Sequence, residues 1–328
     1  MPETPRDFTF LLAPQLSMMA LAAAVEPLRL ANRVTGKTLY DWRFVSEDGG
    51  PVRCSNHARI EVDGGLVEPP RGGAVVVASG LDAHLAATPP VLNWLRRESR
   101  KGIAMGALCT GTVVLARAGL LEGRRCTIHW ENQDAFREEH LEIDLTARLY
   151  EIDGDRFTCA GGVAATDMML EMIARDVDAE TVAQIADQVI HTPSRGDRED
   201  QRLSVPARIG VRHPRLVGIV QAMEESLEDP VSPSVLAAEA GMSTRQLERL
   251  FRRYLNRSPK RYYMELRLKK ARNLLLQTEM SVINVALACG FTSPSHFSKC
   301  YRAHFGRTPY RERGAPADAR TETKAAGR

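Results

Sequence analysis

A single cysteine occupies a position in which its thiol could act as a nucleophile. Cys109 follows the apolar segment Ile103–Leu108 and precedes Thr110–Ala118, which has the composition of a helix. A thiol in a turn between a strand and a helix lies at the helix N-terminus, where the dipole lowers its pKa and the turn exposes it. Ser79 and Gly80 end another apolar run and are placed to supply a backbone amide facing the thiol. This pattern is typical of a nucleophile or of a thiol that responds to oxidants.

Catalysis by a thiol requires a histidine and a carboxylate that activate it. Downstream of Cys109, the His-x-Glu matches are His129–Glu131 and His140–Glu142, and both follow the cysteine closely. A thiol without an oriented base is a poor nucleophile near neutral pH. We therefore expect a protein that is not an enzyme. A Cys109-dependent hydrolase or amidotransferase and a redox sensor are the alternatives.

The cysteines as a group give no sign of a metal site or a disulfide framework. Six cysteines, at positions 54, 109, 126, 159, 289 and 300, form no Cys-x-x-Cys pair. We expect reduced thiols, no metal and no cofactor. The chain also lacks a basic segment ahead of a cleavable apolar stretch and an apolar run of about 20 residues. The sequence therefore predicts a cytoplasmic protein that does not enter a membrane.

The second chemically distinctive region is a duplicated segment near the C-terminus. Residues 236–259 can be aligned with residues 285–309, so that Gly241 matches Gly290 and Pro259 matches Pro309. Each copy has a short Ala-rich helix, a glycine, a Ser or Thr at a helix N-cap, and a longer amphipathic helix. Glycine accepts the strained turn conformation and the hydroxyl satisfies free amides, which is the pattern of a helix-turn-helix motif.

Polar side chains cover the outward face of the second helix in each copy. Such side chains contact base edges when the helix lies in a major groove, and the Arg and Lys residues among them contact phosphates. Between the copies, Lys260–Gln277 is a strong helix former that spans about 27 Å. This length would let both copies enter successive major grooves about 34 Å apart. The predicted DNA-binding residues are Ser243, Thr244, Arg245, Gln246, Glu248, Arg249, Arg252, Arg253, Ser293, Ser295, His296, Ser298, Lys299 and Arg302.

The distribution of charge supports this prediction. The 328 residues carry a net charge of +3, but residues 243–313 hold 16 Lys or Arg against 4 Asp or Glu, a net charge of +12. The remaining residues carry a net charge of −9. A basic segment joined to an acidic body predicts a polyanion partner, double-stranded DNA, for that segment alone. The alternative, a solvated basic surface, does not account for two copies in register.

Residues 215–313 resemble the AraC/XylS-type DNA-binding domain. The segment GFTSPSHFSKCYRAHFGRTPYRER, residues 290–313, carries the resemblance through its Gly-Phe, Ser-x-Phe-x-(Lys/Arg), Phe-Gly and Thr-Pro elements. The resemblance implies seven helices in two subdomains and binding to promoter DNA. It also implies a transcriptional activator with RNA polymerase as a partner.

The segments that precede residue 191 alternate between strand and helix patterns. The β-branched run Ala74–Ala78 is typical of a parallel strand buried on both faces. We therefore predict an α/β domain with a flavodoxin-like parallel sheet and helices on both faces, followed by an all-α domain with two helix-turn-helix motifs. The other predicted strands are Phe8–Ala13, Trp42–Ser46 and Ile103–Leu108, and the predicted helices are Ser17–Asn32, Pro90–Lys101, Thr110–Ala118, Met168–Arg175 and Ala179–Ile190.

Residues 8–190 resemble the type 1 glutamine amidotransferase-like superfamily, and within it the branch fused to AraC domains, the GlxA-like regulators. The segments EPLRLANR, GALCTGTVVLARAGLLEGRRCTIHW and CAGGVAATD carry the resemblance. That superfamily places its catalytic His-x-Glu pair late, in residues 165–176 of this chain, where no histidine occurs. The resemblance therefore implies a pocket with the geometry of the enzyme and without its triad, suited to binding a metabolite.

The resemblance also indicates a pocket lining. Glu26 matches the acidic position that faces the cysteine in related folds, with a surface carboxylate as the alternative. His129 and Trp130 would line the pocket mouth, with core packing as the alternative. Related regulators respond to glycine betaine, carnitine or arginine, and Trp42, Trp130 and Glu26 would suit a cationic nitrogen. The predicted ligand-binding residues are Glu26, Trp42, Ser79, Gly80, Cys109, Thr110, His129 and Trp130.

Together these observations predict a ligand-responsive transcription factor. We expect residues 1–191 to bind a small-molecule effector and to form a homodimer. Residues 192–214 mix Pro, Gly and charges and are predicted to be a linker. Residues 215–313 are predicted to bind DNA, and residues 314–328 to form a flexible tail. The effector would act by favouring one arrangement of the domains.

Overall fold

The computed structural model describes residues 5–191, 201 and 204–313, and the chain divides into two compact units, Met1–Gln201 and Arg202–Arg328. The predicted tail and residues 192–200, 202 and 203 of the predicted linker lie outside the described residues. The linker prediction differs from the structure at Val205–Ile209, which is helical. Pro206 falls in the first turn of this helix, where proline is tolerated, so it does not act as a helix breaker there.

A six-stranded, mostly parallel sheet forms the centre of the first unit. Its strand order is β2-β1-β5-β6-β10-β9, and every neighbouring pair is parallel except β10 and β9. The remaining strands pair as β3-β4 and β7-β8. The predicted flavodoxin-like sheet is thus confirmed. The strands are β1 (Arg6–Leu12), β2 (Tyr40–Val45), β3 (Val52–Arg53), β4 (Arg59–Ile60), β5 (Ala74–Ala78), β6 (Ala104–Leu108), β7 (Arg125–Thr127), β8 (Asp144–Thr146), β9 (Tyr150–Asp153) and β10 (Arg156–Cys159).

Helices cover both faces of this sheet. The period-2 alternation of β1 sends Phe8 and Phe10 to one core, which includes residues of α1, α5 and α6, and Leu11 to the other, which includes residues of α2 and α3. Two hydrophobic cores therefore sandwich the sheet, as parallel strands require. The helices are α1 (Met18–Thr35), α2 (Pro89–Arg100), α3 (Gly111–Arg117), α4 (Gln133–Glu139), α5 (Ala164–Ile173) and α6 (Ala179–Gln188).

The last two strands of the sheet have no counterpart in the strands predicted from the sequence. Strands β9 and β10 form a hairpin in which Asp153 pairs with Arg156 across the turn residues Gly154 and Asp155. Gly154 has a φ of +62°, the conformation that hairpin turns of this kind demand. The signal was therefore present, because Gly-Asp between two short segments is an indication of a two-residue hairpin loop.

The second unit is helical. After α7 (Val205–Ile209), seven helices run from Pro214 to Arg313, the number that the resemblance implied. Strands are absent from residues 204–313. The all-α prediction is thus confirmed. The seven helices are α8 (Pro214–Glu225), α9 (Pro233–Glu239), α10 (Thr244–Leu255), α11 (Pro259–Gln277), α12 (Val282–Ala288), α13 (Pro294–Phe305) and α14 (Pro309–Arg313).

Candidate functional sites

The turn at Cys109 has the strained geometry of a strand-to-helix elbow. Cys109 joins β6 to α3 with a φ of +59°, in the left-handed region that non-glycine residues seldom adopt. Its neighbours are fixed by close packing: a Cβ on Gly111 would lie 2.2 Å from the carbonyl oxygen of Val77, and one on Gly161 would lie 2.7 Å from Cys109 Cβ. Because both positions are glycine, the first turn of α3 and the turn between β10 and α5 can pack closely around the cysteine.

The thiol itself does not behave as the sequence predicted. Cys109 is buried, and burial raises the pKa of its thiol to about 12, with the nearby Cys159 and Glu131 raising it further and the backbone amide of Thr110 opposing them. The expectation that the helix terminus exposes the thiol and lowers its pKa is therefore wrong. The desolvation cost of a buried thiolate exceeds the stabilisation from the amide. The raised pKa favours the protonated thiol at neutral pH.

The histidine nearest in sequence downstream of Cys109 has another hydrogen-bond partner. Among the described residues, no hydrogen bond joins Cys109 to a histidine. The Nδ1 atom of His129 accepts instead from the backbone amide of Glu131 at 3.4 Å, and burial lowers the His129 pKa. The ring of His129 lies against Trp130, with 5.6 Å between ring centroids. Glu131, rather than Glu26, is the carboxylate that acts on both the thiol and the imidazole.

Four predicted pocket residues meet at one edge of the sheet. Ala78 and Leu108 are in register, so Ser79 and Cys109 follow neighbouring strand ends. The hydroxyl of Thr110 donates to the carbonyl oxygen of Gly80 at 2.6 Å. The hydroxyl of Ser79 is buried and makes no hydrogen bond within the described part of the chain.

Trp42 and Glu26, two of the residues predicted to bind a cationic nitrogen, have other surroundings than the cysteine elbow. Trp42 pairs with Phe8, which pairs in turn with Ala74, so it lies toward the amino ends of the strands, while Cys109 follows a carboxyl end. Four residues of strand correspond to about 13 Å. The Glu26 carboxylate binds the guanidinium of Arg29 at 2.6 Å. Trp42 therefore lies away from the cysteine elbow, and the Glu26 carboxylate has a cationic partner within the chain.

The first helix-turn-helix motif consists of α9 and α10. Ser243 caps α10 through a capping box, in which its hydroxyl accepts from the Gln246 amide at 3.3 Å and the Gln246 side chain accepts from the Ser243 amide at 2.7 Å. Leu247 and Phe251 are fully buried and fix the inner face. Glu248 pairs with Arg252 at 3.8 Å. The outward face presents the exposed residues Thr244, Arg245, Arg249, Arg252 and Arg253.

The second motif, α12 and α13, repeats this construction with different chemistry. Ser293 caps α13 by accepting from the His296 amide at 3.3 Å, and Phe297 and Tyr301 are fully buried. His296 Nε2 lies 3.3 Å from the Cys300 sulfur. Of the predicted DNA-binding residues here, Ser298 is partly buried, and the exposed ones are Ser293, Ser295, His296, Lys299 and Arg302.

The long helix α11 connects the two motifs and is held against the second. Arg267 on α11 donates to the carbonyl oxygens of Cys289 and Gly290 at 2.8 and 2.6 Å, and its guanidinium lies 4.1 Å from the ring centroid of Phe291. At 1.5 Å per residue, the 19 residues of α11 span about 28 Å. The turn of the second motif is thus fixed to the connecting helix.

Two further findings concern the chain as far as it is described. No cluster of three or more His, Cys, Asp or Glu side chains in residues 5–191, 201 and 204–313 could hold a metal ion. Within the same ranges, no helix combines the length and the apolar character that crossing a bilayer requires.

Comparison with known proteins places both units. The family model described as DJ-1/PfpI matches residues 10–175, and one described as a helix-turn-helix domain matches residues 236–315. The HTH-type transcriptional regulator CdhR of Pseudomonas aeruginosa is 44% identical over 96% of this chain and 98% of its own length. The regulator GbdR of the same species is 43% identical over 94% of this chain and 84% of its own. An AraC family transcriptional regulator from Pseudomonas putida, with a TM-score of 0.51 and 23% identity over 56% of this chain and 100% of that one, supports the fold alone.

Proposed function

The chain belongs to the family of HTH-type transcriptional regulators that join a DJ-1/PfpI domain to an AraC-type helix-turn-helix domain, and from this premise we propose that it activates a catabolic operon in response to a small metabolite. The effector is an amino acid or a quaternary amine. The observation that carries the proposal is the pair of capped helices that present exposed Arg, Lys and His side chains in a segment of net charge +12. Side chains on such a helix contact base edges in the major groove.

We propose that the two domains have different roles. Residues 1–191 bind the effector and associate into a homodimer, and residues 215–313 bind promoter DNA and contact RNA polymerase. The protein acts in the cytoplasm. Arg245 and His296, which are exposed near the starts of α10 and α13, contact base edges. Arg252 and Arg302 lie further along their helices and contact phosphates.

DNA binding by the full chain tests the first part of this proposal. Fluorescence anisotropy compares the duplex upstream of the chain's own gene with a scrambled duplex of equal composition, with amino acids and betaines supplied. Specific sites bind about 10³-fold or more tightly than non-specific DNA. Arg245→Ala and His296→Ala should each lose about 5- to 150-fold of that preference, since one good base contact contributes about 1–3 kcal/mol. Arg59→Ala, an exposed arginine of the first unit, is the control and should change nothing. Equal binding to both duplexes under every condition would overturn the proposal.

We further propose that the first unit lacks hydrolase, amidotransferase and redox-sensor activity. Burial raises the pKa of the Cys109 thiol to about 12, so the thiolate that reacts with substrates and oxidants is far scarcer at pH 7 than it is for an ordinary cysteine. Cys109→Ala should therefore retain effector-dependent promoter activation. Peroxide should leave promoter binding of the parent chain unchanged. Activation lost in Cys109→Ala, or a peroxide effect absent from Cys109→Ser, would favour the competing functions.

A further inference from the structure

A cavity of about 510 Å³ opens in the first unit at the carboxyl edge of the sheet. Its lining includes Leu11 and Leu12 at the end of β1, the next two residues of the chain, and Val77 of β5. The sheet order places β2 on one side of β1 and β5 on the other, so the direction in which successive strands are added to the sheet reverses at β1. Open α/β sheets bind ligands in the crevice outside the carboxyl ends of the strands at such a switch point. The cavity has the size of a small-molecule site.

This cavity is separate from the cysteine elbow. None of the eight ligand-binding residues predicted from the sequence is among the residues that line it. Its floor is apolar and buried, because Leu12, Val52, Val77 and Val91 are each at most 5% exposed. A floor of this kind accepts an aliphatic group and excludes water from it.

Charged side chains stand at the open side of the cavity. Glu47, Asp48 and Arg53 line it and are exposed. Asp48 is oriented, because its Oδ1 accepts from the Gly50 amide at 2.9 Å and the Ser46 hydroxyl at 3.2 Å, and both bonds lower its pKa. One guanidinium N–H of Arg53 donates to His57 Nδ1 at 2.8 Å, which leaves other N–H groups for a ligand. An apolar floor thus lies beneath two carboxylates and one guanidinium.

We propose that this cavity is the effector site and that it binds an aliphatic α-amino acid as the zwitterion. The Arg53 guanidinium binds the carboxylate of the ligand, Glu47 and Asp48 bind its ammonium group, and the aliphatic side chain fills the apolar floor. The cavity favours an ammonium group over a trimethylammonium group, since no aromatic ring is among the described residues that line it and carboxylates bind N–H donors directly. This inference rests on the proposed function, and it decides between the two effector classes named there.

Titration calorimetry on the full chain at pH 7.5 tests the ligand class. The probes are L-leucine, 4-methylpentanoate, which lacks the ammonium group, 3-methylbutylamine, which lacks the carboxylate, and N,N,N-trimethyl-L-leucine. L-Leucine should bind at least tenfold more tightly than each of the other three. Binding of the trimethylated probe equal to that of L-leucine would overturn the assignment of the ammonium contacts.

Variants with matched controls test the position of the site. Glu47→Gln and Arg53→Gln should each weaken L-leucine binding by tenfold or more, and Ala86→Phe, which fills the cavity, should abolish it. The controls Glu61→Gln and Arg59→Gln lie in the neighbouring segment, are exposed, and do not line the cavity, so they should bind as the parent chain does. Cys109→Ser should also retain binding.

The outcomes separate this inference from the proposed function. Binding that survives all three cavity variants, or that is lost only in Cys109→Ser, would overturn the site. A chain that distinguishes its promoter from scrambled DNA and binds none of the four probes overturns this inference and leaves the proposed function standing. A chain that binds L-leucine at the cavity but ignores DNA sequence overturns the proposed function alone.

Discussion

The two helix-turn-helix motifs share one sequence pattern but are packed differently. Gly241 and Gly290 both occupy the left-handed turn, with φ of +63° and +73°. A Cβ on Gly241 would meet nothing within 4 Å, whereas one on Gly290 would lie 2.6 Å from Pro230 Cγ and 2.7 Å from the carbonyl oxygens of Leu227 and Glu228. The first turn is open, and the second is enclosed by the α8–α9 segment and by Arg267. Duplication has therefore conserved the motif and not its surroundings.

The two motifs also differ in the charged side chains that their outward faces present. In the first motif, the outward face of α10 presents four arginines. In the second motif, α13 presents Lys299, Arg302 and His296 among small polar residues. Phosphate contacts give affinity without sequence information, and base contacts give specificity. We infer that the first motif supplies more of the electrostatic attraction. The second motif, whose turn is held against α11 by Arg267, supplies a fixed orientation of α13 relative to that helix.

The largest expected effect concerns the ion pairs that close each copy. Glu312 on α14 is fully buried, accepts from Arg272 Nε at 3.0 Å and lies 3.5 Å from Arg307 Nε. In the first copy, Glu265 pairs with Arg257 and with Arg261, whose side chain is 76% exposed. Glu312→Ala removes the buried carboxylate that two partly buried guanidinium groups share, and it should cost about 3–5 kcal/mol. Glu265→Ala should cost about 1.5 kcal/mol, because water can solvate its partners.

The positions of the tryptophans allow the loss of stability in the second unit to be measured in the full chain. Trp42, Trp94 and Trp130, all three in the sequence, lie in the first unit, so their fluorescence reports its unfolding in urea. Far-ultraviolet circular dichroism follows the helices of the second unit as well. Both variants should leave the tryptophan transition in place and shift the remaining ellipticity transition to lower urea. Equal shifts for Glu312→Ala and Glu265→Ala would remove this difference between the copies.

The two turn glycines provide the next test. Gly290→Ala adds the strain of a left-handed alanine, about 1 kcal/mol, to an overlap with backbone atoms that costs about 1–3 kcal/mol. Gly241→Ala adds the strain alone. We therefore expect losses of about 3 and about 1 kcal/mol, measured by the same ellipticity transition. A Gly241→Ala chain that loses as much as Gly290→Ala would mean that the first turn is enclosed as tightly as the second.

Features that depend on short-range interactions, such as helix caps and buried helix faces, were predicted correctly from local patterns in the sequence. The capping serines, Ser243 and Ser293, and the buried stripes of α10 and α13 follow from short-range spacing, and the structure has them where the repeat placed them. The strand Ala74–Ala78 was predicted to the residue, because a β-branched run is diagnostic of a buried parallel strand. The hairpin of β9 and β10 was missed, although the sequence of its Gly-Asp loop indicates a turn.

Properties that depend on three-dimensional burial could not be predicted in this way. The pKa of Cys109 is governed by how deeply Gly111 and Gly161 let the surrounding turns close over the thiol, which spacing along the chain does not reveal. The distance of Trp42 from that site depends on strand register. The cavity beside β1 depends on strand order, since its lining comes from segments up to 80 residues apart in sequence.

The smallest expected effect tests whether both motifs contact DNA at once. Arg252 and Arg302 occupy matching positions in the repeat, and both are exposed. If each neutralises one phosphate, Arg252→Ala and Arg302→Ala should each reduce the slope of log K against log salt by about 0.9, on specific and random duplexes alike. Loss of the Glu248 pair in Arg252→Ala costs only about 0.3–0.5 kcal/mol of helix stability, and ellipticity checks this. Arg59→Ala should leave the slope unchanged. A slope that falls for Arg252→Ala and stays constant for Arg302→Ala would mean that only the first motif reaches the phosphates, because a side chain in a groove cannot avoid releasing counterions.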